Sequence, residues 1–485
     1  MKLKNEGGHA IAVIGDGAMT GGLALEAMND AGQANVPLIV VLNDNNMSIA
    51  ENVGAIHTQL TNLRLNKGYR GLKMRVLQLM DKGKAGSWLS KHMGNMKNRI
   101  KNALLPNLLF EEMGFTYYGP IDGHDIKEME HVFKNAKTIS GAVLIHVITK
   151  KGKGYKFAEE NPEKFHGVST FIPETGEITK GKKKSNSDVF GDTILSLARK
   201  NEDIVAITAA MPGGTGLAKF REEFPKRLFD VGICEEHAIT MAAGMAAGGL
   251  SPVVAMYSSF LQRAYDEILH DVCIQNLPVT LAVDRAGLVG QDGPTHQGIY
   301  DIAFLTSLPN MRIYSPATQH ELKAMVEMAI QRKEPAAIRY NRGCLMQAIL
   351  RTPLEFGKWE ILEELKPVTV VATGCMVKHA MPIAKEYGIG LVNARFIEPM
   401  DEEIIQNIRE KCKYVITIEE AVTTFGNMLK LRIMDTVFVK CLGITKEILG
   451  QATVEEQQLE AGISDTDIEN AVKEACNATT GCASC

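Results

Sequence analysis

Short apolar runs alternate with amphipathic stretches along most of the chain. Residues 10–14 form an apolar run, residues 20–33 carry apolar side chains at helical spacing, and residues 36–42 are continuously apolar. A continuously apolar strand is typical of a parallel sheet that helices cover on both faces. We expect this strand to end before the polar run 43–46. Residues 141–149 repeat the pattern, which predicts an α/β fold for the first part of the chain.

Two further series of alternating segments follow a linker that is rich in Gly and Lys. The first series predicts strands at 204–208, 253–257 and 279–284, and helices at 189–200, 238–248 and 260–274. The second predicts strands at 368–373, 390–393 and 414–419, and helices at 377–386 and 401–410. Such alternation predicts parallel sheets with crossover helices. We therefore predict an α/β fold of three domains, at 1–184, 185–345 and 360–485, with mainly parallel sheets flanked by helices.

Composition and charge narrow the class of protein. A length of 485 residues fits about three domains. The balance of 53 Lys+Arg against 57 Asp+Glu, a formal net charge of −4, argues against nucleic-acid binding. Residues 238–262 carry no formal charge, but Gly, Ala and Pro252 interrupt them, which predicts a buried helix and strand rather than a membrane span. The nine scattered Cys indicate a reducing compartment, so we expect a cytoplasmic protein that binds no membrane.

A basic stretch interrupts the first predicted domain. Residues 64–101 hold eleven Lys and Arg but only one acid, Asp81. This stretch is either a solvated insertion or a basic collar that steers phosphorylated substrates towards a site.

Polar motifs follow two of the predicted strands. Gly15-Asp16-Gly17 comes after the strand at 10–14, and Asn45 follows the strand at 36–42. The carboxyl ends of parallel strands line the ligand crevice of an open sheet, so a carboxylate and an amide oxygen are expected to meet there. Such oxygen donors suit Mg²⁺, and the amides of the following helix favour a phosphate. The glycine spacing does not fit G-x-G-x-x-G, which disfavours a dinucleotide site.

These two motifs resemble the diphosphate-binding motif of thiamine-diphosphate enzymes. The resemblance implies that Asp16, Asn45 and the backbone carbonyl of Met47 hold Mg²⁺, and that these residues, with Gly17 and Ala18, bind thiamine diphosphate. Further motifs resemble the 1-deoxy-D-xylulose-5-phosphate synthase family of the transketolase-like superfamily, at 43–49, 119–125, 151–155, 259–266, 284–287 and 292–298. The resemblance implies a transketolase-like, thiamine-diphosphate-binding fold and a homodimer.

The family's reaction implies small-molecule substrates and a set of polar side chains. It condenses pyruvate with D-glyceraldehyde 3-phosphate to 1-deoxy-D-xylulose 5-phosphate and CO₂, which serves isoprenoid, thiamine and pyridoxal biosynthesis. Glu235 matches the catalytic carboxyl that contacts the aminopyrimidine ring of the cofactor. The plainer interpretation is an acid that complements a helix dipole. Arg285 and Arg342 match the phosphate-binding arginines, although either residue on its own would suit a surface ion pair.

Other side chains match the family's active site through their sequence context. His166 and His296 match catalytic histidines that hydrogen-bond substrate or move protons. The remaining matches are a cofactor contact, Tyr155, and the pocket residues Tyr257, Arg263 and Asp292.

The sequence also departs from the family. A long segment usually precedes the Gly-Asp-Gly strand, so we expect a first domain that lacks its N-terminal part, through truncation or because a separate chain supplies it. Residues 419–427 lack the glycine-rich run that usually follows there. The alternatives are a transketolase or a 2-oxo acid decarboxylase component, and, from a different class, a non-catalytic remnant.

Overall fold

The computed structural model describes residues 8–48, 52–65, 109–168, 170–179, 184–343, 345–347, 352–445 and 448–480. The chain divides into two compact units. The first comprises Met1–Lys180 and Gly232–Cys234, and the second Gly181–Val231 and Glu235–Cys485. The basic stretch at 64–101 lies almost wholly outside the described residues, so both interpretations of it stay open.

The first unit contains a parallel sheet with the strand order β1-β2-β4-β3. The strands are β1 (Ala10–Gly15), β2 (Leu38–Asp44), β3 (Thr116–Asp122) and β4 (Val143–Ile148). Alternate side chains of β2 and β4 join two separate apolar clusters, one around Leu42 and Leu144, the other around Val41 and Ile145. Because neighbouring side chains of a strand point to opposite faces, both faces of the sheet are covered at β2 and β4, as the apolar run at 36–42 predicted. The edge strand β1 is not covered in this way, since Ile11 and Val13 are exposed.

The polar end of β2 differs from the expectation. The strand continues through Asn43 and Asp44, which pair in register with Val147 and Ile148 of β4. The prediction that it ends before residue 43 is therefore wrong. The neighbouring strand extends equally far, and the Asp44 carboxylate has a buried hydrogen-bond partner in His146. A polar side chain with a buried partner is compatible with a strand interior.

The helix predicted at 20–33 is observed as Gly22–Ala34, and a separate short helix, Asp16–Met19, precedes it. Gly21 has extended backbone dihedrals and separates them. The other helices of the first unit are Ala55–Leu65, Leu109–Glu112, Ile126–Ala136 and Lys156–Glu160. A short antiparallel pair, β5 (Phe171–Ile172) and β6 (Glu177–Ile178), completes the described elements.

The second unit contains a seven-stranded sheet with the order β16-β11-β12-β10-β9-β7-β8. Its strands are β7 (Ile204–Thr208), β8 (Leu228–Asp230), β9 (Ser251–Tyr257), β10 (Thr280–Asp284), β11 (Arg312–Tyr314), β12 (Ala336–Tyr340) and β16 (Phe396–Glu398). β7, β9 and β10 were predicted, whereas β8, β11, β12 and β16 were not. β12 carries the buried Arg339, whose charge is paired with Asp301 at 3.0 Å. A charged residue in a central strand hides the apolar pattern from sequence inspection.

The helices around this sheet are Asn186–Ala198, Ala218–Glu223, Glu235–Ala247, Asp301–Leu305 and Gln319–Arg332. The helix predicted at 260–274 is observed as an unbroken succession of helical segments of different types. It runs through α-helix Ser258–Leu261, 3₁₀ turn Gln262–Ala264, α-turn Tyr265–Glu267 and π-helix Ile268–Cys273. In the described part of the chain, no helix is long and apolar enough to cross a membrane.

A five-stranded sheet follows, with the order β13-β15-β14-β17-β18. Its strands are β13 (Glu360–Glu363), β14 (Val368–Ala372), β15 (Gly390–Asn393), β17 (Tyr414–Val422) and β18 (Phe438–Ile444). The flanking helices are Met376–Glu386, Glu402–Lys411, Phe425–Ile433, Val454–Glu460 and Asp465–Thr480. All pairs are parallel except β13 with β15. The predicted α/β class, with mainly parallel sheets flanked by helices, is confirmed.

One strand links the two sheets of the second unit. β16 follows β15 in the chain but pairs antiparallel with β11, at the edge of the seven-stranded sheet. Arg395, just before β16, is fully buried. Its Nε donates to Oε1 of Glu321 at 2.6 Å, and its Nη2 lies 2.9 Å from Oε2 of Glu360. An apolar strand and a buried ion pair therefore fix this junction.

Candidate functional site

Asp16 and Asn45 lie where two neighbouring parallel strands end. β1 ends at Gly15 and β2 at Asp44, and these strands pair along their length. The backbone N–H of Asn46 donates to Oδ2 of Asp16 at 2.8 Å, which ties the two motifs together. The Asn45 side chain is oriented by its own turn, since Oδ1 accepts from the N–H of Met47 at 2.9 Å. The structure therefore brings the predicted metal ligands Asp16, Asn45 and Met47 to one sheet edge.

The Asp16 carboxylate shows an unused acceptor. The side chain is 2% exposed, and its Oδ1 makes no hydrogen bond with the described residues. Burial raises the pKa of Asp16 to about 6, and the nearby Asp44 carboxylate adds to the rise. A buried carboxylate oxygen without a donor is costly unless a cation takes it. One carboxylate, one amide oxygen and a backbone carbonyl are hard donors, so these residues fit Mg²⁺.

A buried chain of side chains supports this edge. His146 Nε2 lies 2.8 Å from Oδ2 of Asp44, and its Nδ1 lies 2.7 Å from the hydroxyl of Tyr117. His146, Asp44 and Tyr117 are each at most 2% exposed. The sequence analysis missed this chain, because only the pairing of β2, β3 and β4 brings the three residues together. Its one sequence signal is a histidine within the apolar run at 141–149.

Gly17 and Ala18 lie in the first turn after β1. A Cβ at Gly17 would lie 2.7 Å from Oδ1 of Asn52 and 3.0 Å from Cβ of Ser48, so a side chain there would displace these neighbours. Ala18 is exposed in the same turn. Lys151 lies close by, because its Nζ donates to the carbonyl of Ser48 at 2.5 Å. Burial lowers the pKa of Lys151, and the Asp16 carboxylate opposes this shift. The position of its amine beside Ser48 makes Lys151 a missed candidate for binding an anion.

Tyr155 and His166 belong to the same unit as Asp16 and Asn45. The Tyr155 hydroxyl donates to the carbonyl of Pro173 at 2.8 Å. Its ring packs within 5.6 Å of Phe157 and of Phe165. His166 is exposed. Tyr155 therefore has a packing role in the structure, and the predicted cofactor contact of Tyr155 and catalytic role of His166 stay predictions.

Glu235 begins the helix Glu235–Ala247 of the second unit and is 3% exposed. Arg263 ion-pairs with Oε2 of Glu235, and its Nη2 lies 3.1 Å from Oε1 of Glu236. Burial raises the pKa of Glu235, and the positive charge of Arg263 partly offsets that rise. The result is a buried carboxyl with one oxygen held by an arginine. Both predicted residues, Glu235 and Arg263, thus lie in one cluster.

Arg285 follows β10 with a positive φ of 56°, an uncommon backbone conformation for a residue other than glycine. Its Nη1 donates to the carbonyl of Gly214 at 2.8 Å and to Oδ1 of Asp284 at 2.9 Å. The guanidinium lies 3.9 Å from the centre of the Tyr257 ring. Burial raises the pKa of the Tyr257 hydroxyl to about 12, so it stays a neutral donor. The stack and hydrogen bonds hold the guanidinium in one orientation.

The other predicted residues extend this group. The Phe260 ring stacks on Tyr257 at 5.5 Å and meets the His296 ring edge-on at 5.2 Å. The Arg342 Nε lies 3.2 Å from Oδ2 of Asp292. The charges of Arg285, Asp292 and Arg342 all act on the Tyr257 hydroxyl. The structure therefore brings five predicted residues together, namely Arg285, Tyr257, His296, Asp292 and Arg342. The two arginines in this cluster suit a phosphate.

Three family models match successive parts of the chain. Residues 1–149 match the model described as 1-deoxy-D-xylulose-5-phosphate synthase. Residues 182–347 match the transketolase pyrimidine-binding domain, and residues 357–468 match the transketolase C-terminal domain.

Solved structures share the fold. A structure titled split gene transketolase, inactive beta4 tetramer, is 27% identical with a TM-score of 0.56, covering 60% of this chain and 98% of that one. The transketolase of Campylobacter jejuni is 17% identical with a TM-score of 0.53, covering 96% of this chain and 77% of that one. The second likeness concerns the fold alone. The predicted transketolase-like fold is thus confirmed.

Curated relatives are much more similar in sequence. The 1-deoxy-D-xylulose-5-phosphate synthase of Clostridium perfringens is 48% identical over 433 residues, which is 88% of this chain and 70% of the relative. The synthase of Clostridium tetani is 46% identical over 467 residues, which is 94% of this chain and 75% of the relative. The chain therefore belongs to the 1-deoxy-D-xylulose-5-phosphate synthase family.

Proposed function

We propose that this protein condenses pyruvate with D-glyceraldehyde 3-phosphate, releasing CO₂ and forming 1-deoxy-D-xylulose 5-phosphate. The observation that carries the proposal is the 48% identity to a synthase over 88% of the chain. The product serves isoprenoid, thiamine and pyridoxal biosynthesis, and the enzyme is a transketolase-type transferase. A transketolase or a 2-oxo acid decarboxylase component is disfavoured, because the relatives at 46–48% identity are synthases.

The enzyme uses thiamine diphosphate and Mg²⁺. When bound, thiamine diphosphate supplies a thiazolium ring that stabilises the negative charge left by decarboxylation of a 2-oxo acid. The unpartnered Oδ1 of Asp16 supports a role for this carboxylate as a Mg²⁺ ligand, with Asn45 and the carbonyl of Met47. Gly17 and Ala18 follow Asp16 in the same helical turn, so they are proposed to lie beside the diphosphate.

Glu235 is proposed to hold a proton against the aminopyrimidine ring. Its burial raises its pKa, so the carboxyl keeps a proton more readily than an exposed glutamate does. Arg263 pairs with Oε2 and thereby fixes the orientation of the carboxyl. A buried, oriented carboxyl of this kind acts as a general acid or base. This geometry supports catalysis by Glu235, with Arg263 as its orienting partner.

Arg285 and Arg342 are proposed to bind the phosphate of the aldehyde substrate. Arg285 is oriented by the Tyr257 ring, and its remaining guanidinium donors suit a phosphate oxygen. Arg342 is 40% exposed beside Asp292. His296, packed on Phe260 of the same cluster, is proposed to hydrogen-bond the substrate or move a proton.

A homodimer in the cytoplasm is also proposed, on the strength of the family resemblance. Six cysteines in the described residues are free, which is compatible with a reducing compartment. Light scattering on the purified protein should give twice the chain mass of 53.0 kDa. The mass of one chain would contradict the homodimer.

The activity is tested with the purified full chain, thiamine diphosphate, Mg²⁺, pyruvate and glyceraldehyde 3-phosphate. We expect CO₂ to be released and a new pentulose phosphate to form. Mass spectrometry detects the pentulose phosphate. Omitting either substrate or Mg²⁺ should abolish the product. A folded protein that releases no CO₂ would contradict the proposal, and sugar transfer without CO₂ would indicate a transketolase instead.

A further inference from the structure

The loop after β10 connects most of the proposed phosphate site. The loop starts at Arg285 and includes Asp292. It also contacts Arg342, because Nη1 of Arg342 donates to the carbonyl of Val289 at 2.9 Å. A displacement of this loop would therefore move Arg285 and Asp292 directly. It would also move Arg342 through its hydrogen bond and its ion pair.

Part of this loop is held by the sheet from which it emerges. The N–H of Ala286 donates to the carbonyl of Tyr340 at 3.0 Å. Gly287 and Gly298 exchange two backbone hydrogen bonds, at 2.7 and 2.9 Å. These contacts fix only the first residues after Arg285.

The next residues are held by β17, well over a hundred positions later in the chain. Oε1 of Glu420 accepts the N–H of Leu288 at 2.9 Å. Gln458 donates to the other oxygen of Glu420 at 3.0 Å, which keeps the carboxylate in place. A Cβ at Gly287 would lie 2.3 Å from Oε1 of Glu420, so glycine lets the loop approach this carboxylate.

Gln457 then holds the middle of the loop with both ends of its amide group. Its Oε1 accepts the N–H of Gly290 at 2.8 Å, and its Nε2 donates to the carbonyl of Gly290 at 3.1 Å. Nε2 also donates to the carbonyl of Gly450 at 2.7 Å. Gln457 is fully buried. Gln451, which is exposed, donates to the carbonyl of Gln291 at 2.8 Å.

We propose that Gln457 is a positioning residue that sets the specificity for a phosphorylated aldehyde. It acts on Arg285 and Arg342 through the loop and touches no substrate itself. The inference rests on the proposed function, because it assigns the two arginines to the substrate phosphate. The helix Val454–Glu460 thereby contributes to substrate selection.

Gln457→Ala removes three hydrogen bonds to backbone groups, two of them to the loop. We expect the KM for glyceraldehyde 3-phosphate to rise about tenfold, because a loop freed at its centre orients the arginines less well. The KM for pyruvate, and turnover with unphosphorylated D-glyceraldehyde, should stay within about twofold of the unmodified protein. A purely structural role for Gln457 would change all three quantities together.

Gln406→Ala is the control, since Gln406 is exposed and, within the described residues, its side chain bonds only Glu410 on its own helix. This variant should leave every kinetic constant unchanged. Gln451→Ala removes one exposed hydrogen bond to the loop and is expected to fold. Because it loosens the loop less than Gln457→Ala does, it should raise the KM for glyceraldehyde 3-phosphate about threefold. Calorimetry on the same proteins measures the binding of inorganic phosphate without turnover. This binding should weaken most in Gln457→Ala, less in Gln451→Ala and not at all in Gln406→Ala.

The outcomes separate this inference from the proposed function. If the unmodified chain releases no CO₂ and binds no phosphate, the proposed function fails first. If the unmodified chain is active, an equal loss for both aldehydes in Gln457→Ala overturns the positioning role. Unchanged phosphate binding in Gln457→Ala, or in Gln451→Ala where Gln457→Ala does not fold, also overturns it.

Discussion

Removing the charge of Asp16 should stabilise the metal-free protein while abolishing Mg²⁺ binding. Burial and the Asp44 carboxylate raise the pKa of Asp16 from 3.8 to about 6. A folded state that binds its proton more tightly than the unfolded state loses stability as the pH rises between the two values. The shift corresponds to roughly 2 pKa units at 1.36 kcal/mol each, or about 3 kcal/mol. Above pH 6 the ionised Asp16 lowers the free energy of unfolding by this full amount. Below pH 4 Asp16 is protonated in both states, and the free energy of unfolding is not lowered.

Hydrogen exchange of β2 reports this effect within the first unit. In EDTA, the opening free energy of the β2 amides in the unmodified protein should fall by up to about 3 kcal/mol between pH 4 and 7. In Asp16→Asn, the opening free energy should depend much less on pH. At pH 7 it should be higher than in the unmodified protein. Asp30→Asn, at an exposed position of the same unit, is the control and should behave like the unmodified protein.

Adding Mg²⁺ completes the test. The cation should restore protection of β2 in the unmodified protein by mass action, but not in Asp16→Asn. If Asp16→Asn is less stable than the unmodified protein at pH 7 in EDTA, the buried-charge reasoning is refuted.

Three other variants test the second unit. Glu235→Gln should lower kcat by about 10²–10⁴ with unchanged circular dichroism, and near-normal turnover would contradict its role in proton transfer. Arg285→Lys should raise the KM for glyceraldehyde 3-phosphate about tenfold, because an ammonium loses the planar stack on Tyr257; an unchanged KM would place the phosphate elsewhere. Arg395→Met should destabilise the second unit by about 3–5 kcal/mol in urea titrations, because Glu321 is left buried and unpaired; a change below 1 kcal/mol would refute this.

The convergence of Asp16 and Asn45 could be predicted, because it follows from local rules. Continuous apolar runs indicate buried parallel strands, and the ends of such strands meet at one edge. The pairing of Gly15 with Asn43 confirms that geometry. The element types were predicted for the same reason wherever the apolar pattern is uninterrupted, as in β7, β10 and β14.

The supporting residues could not be predicted, because their roles arise from contacts distant in sequence. His146 meets Asp44 across 102 positions, and Gln457 meets Gly290 across 167. Each is a polar residue in an apolar or helical segment. Its role depends on the hydrogen-bond partner that the fold brings to it. β12 was missed because Arg339 interrupts its apolar pattern, and its pairing with Asp301 is visible only in three dimensions.

The antiparallel strand β16 makes two predicted domains dependent on each other. A fragment that ends before residue 360 would leave the edge of β11 with unpaired backbone groups, which invite pairing with another chain. Such a fragment should aggregate or exchange strands, whereas the intact second unit should unfold as one cooperative body. The helix that carries Gln457 would then move together with the sheet that carries Arg285. Substrate selection would be protected from any hinge motion inside that unit.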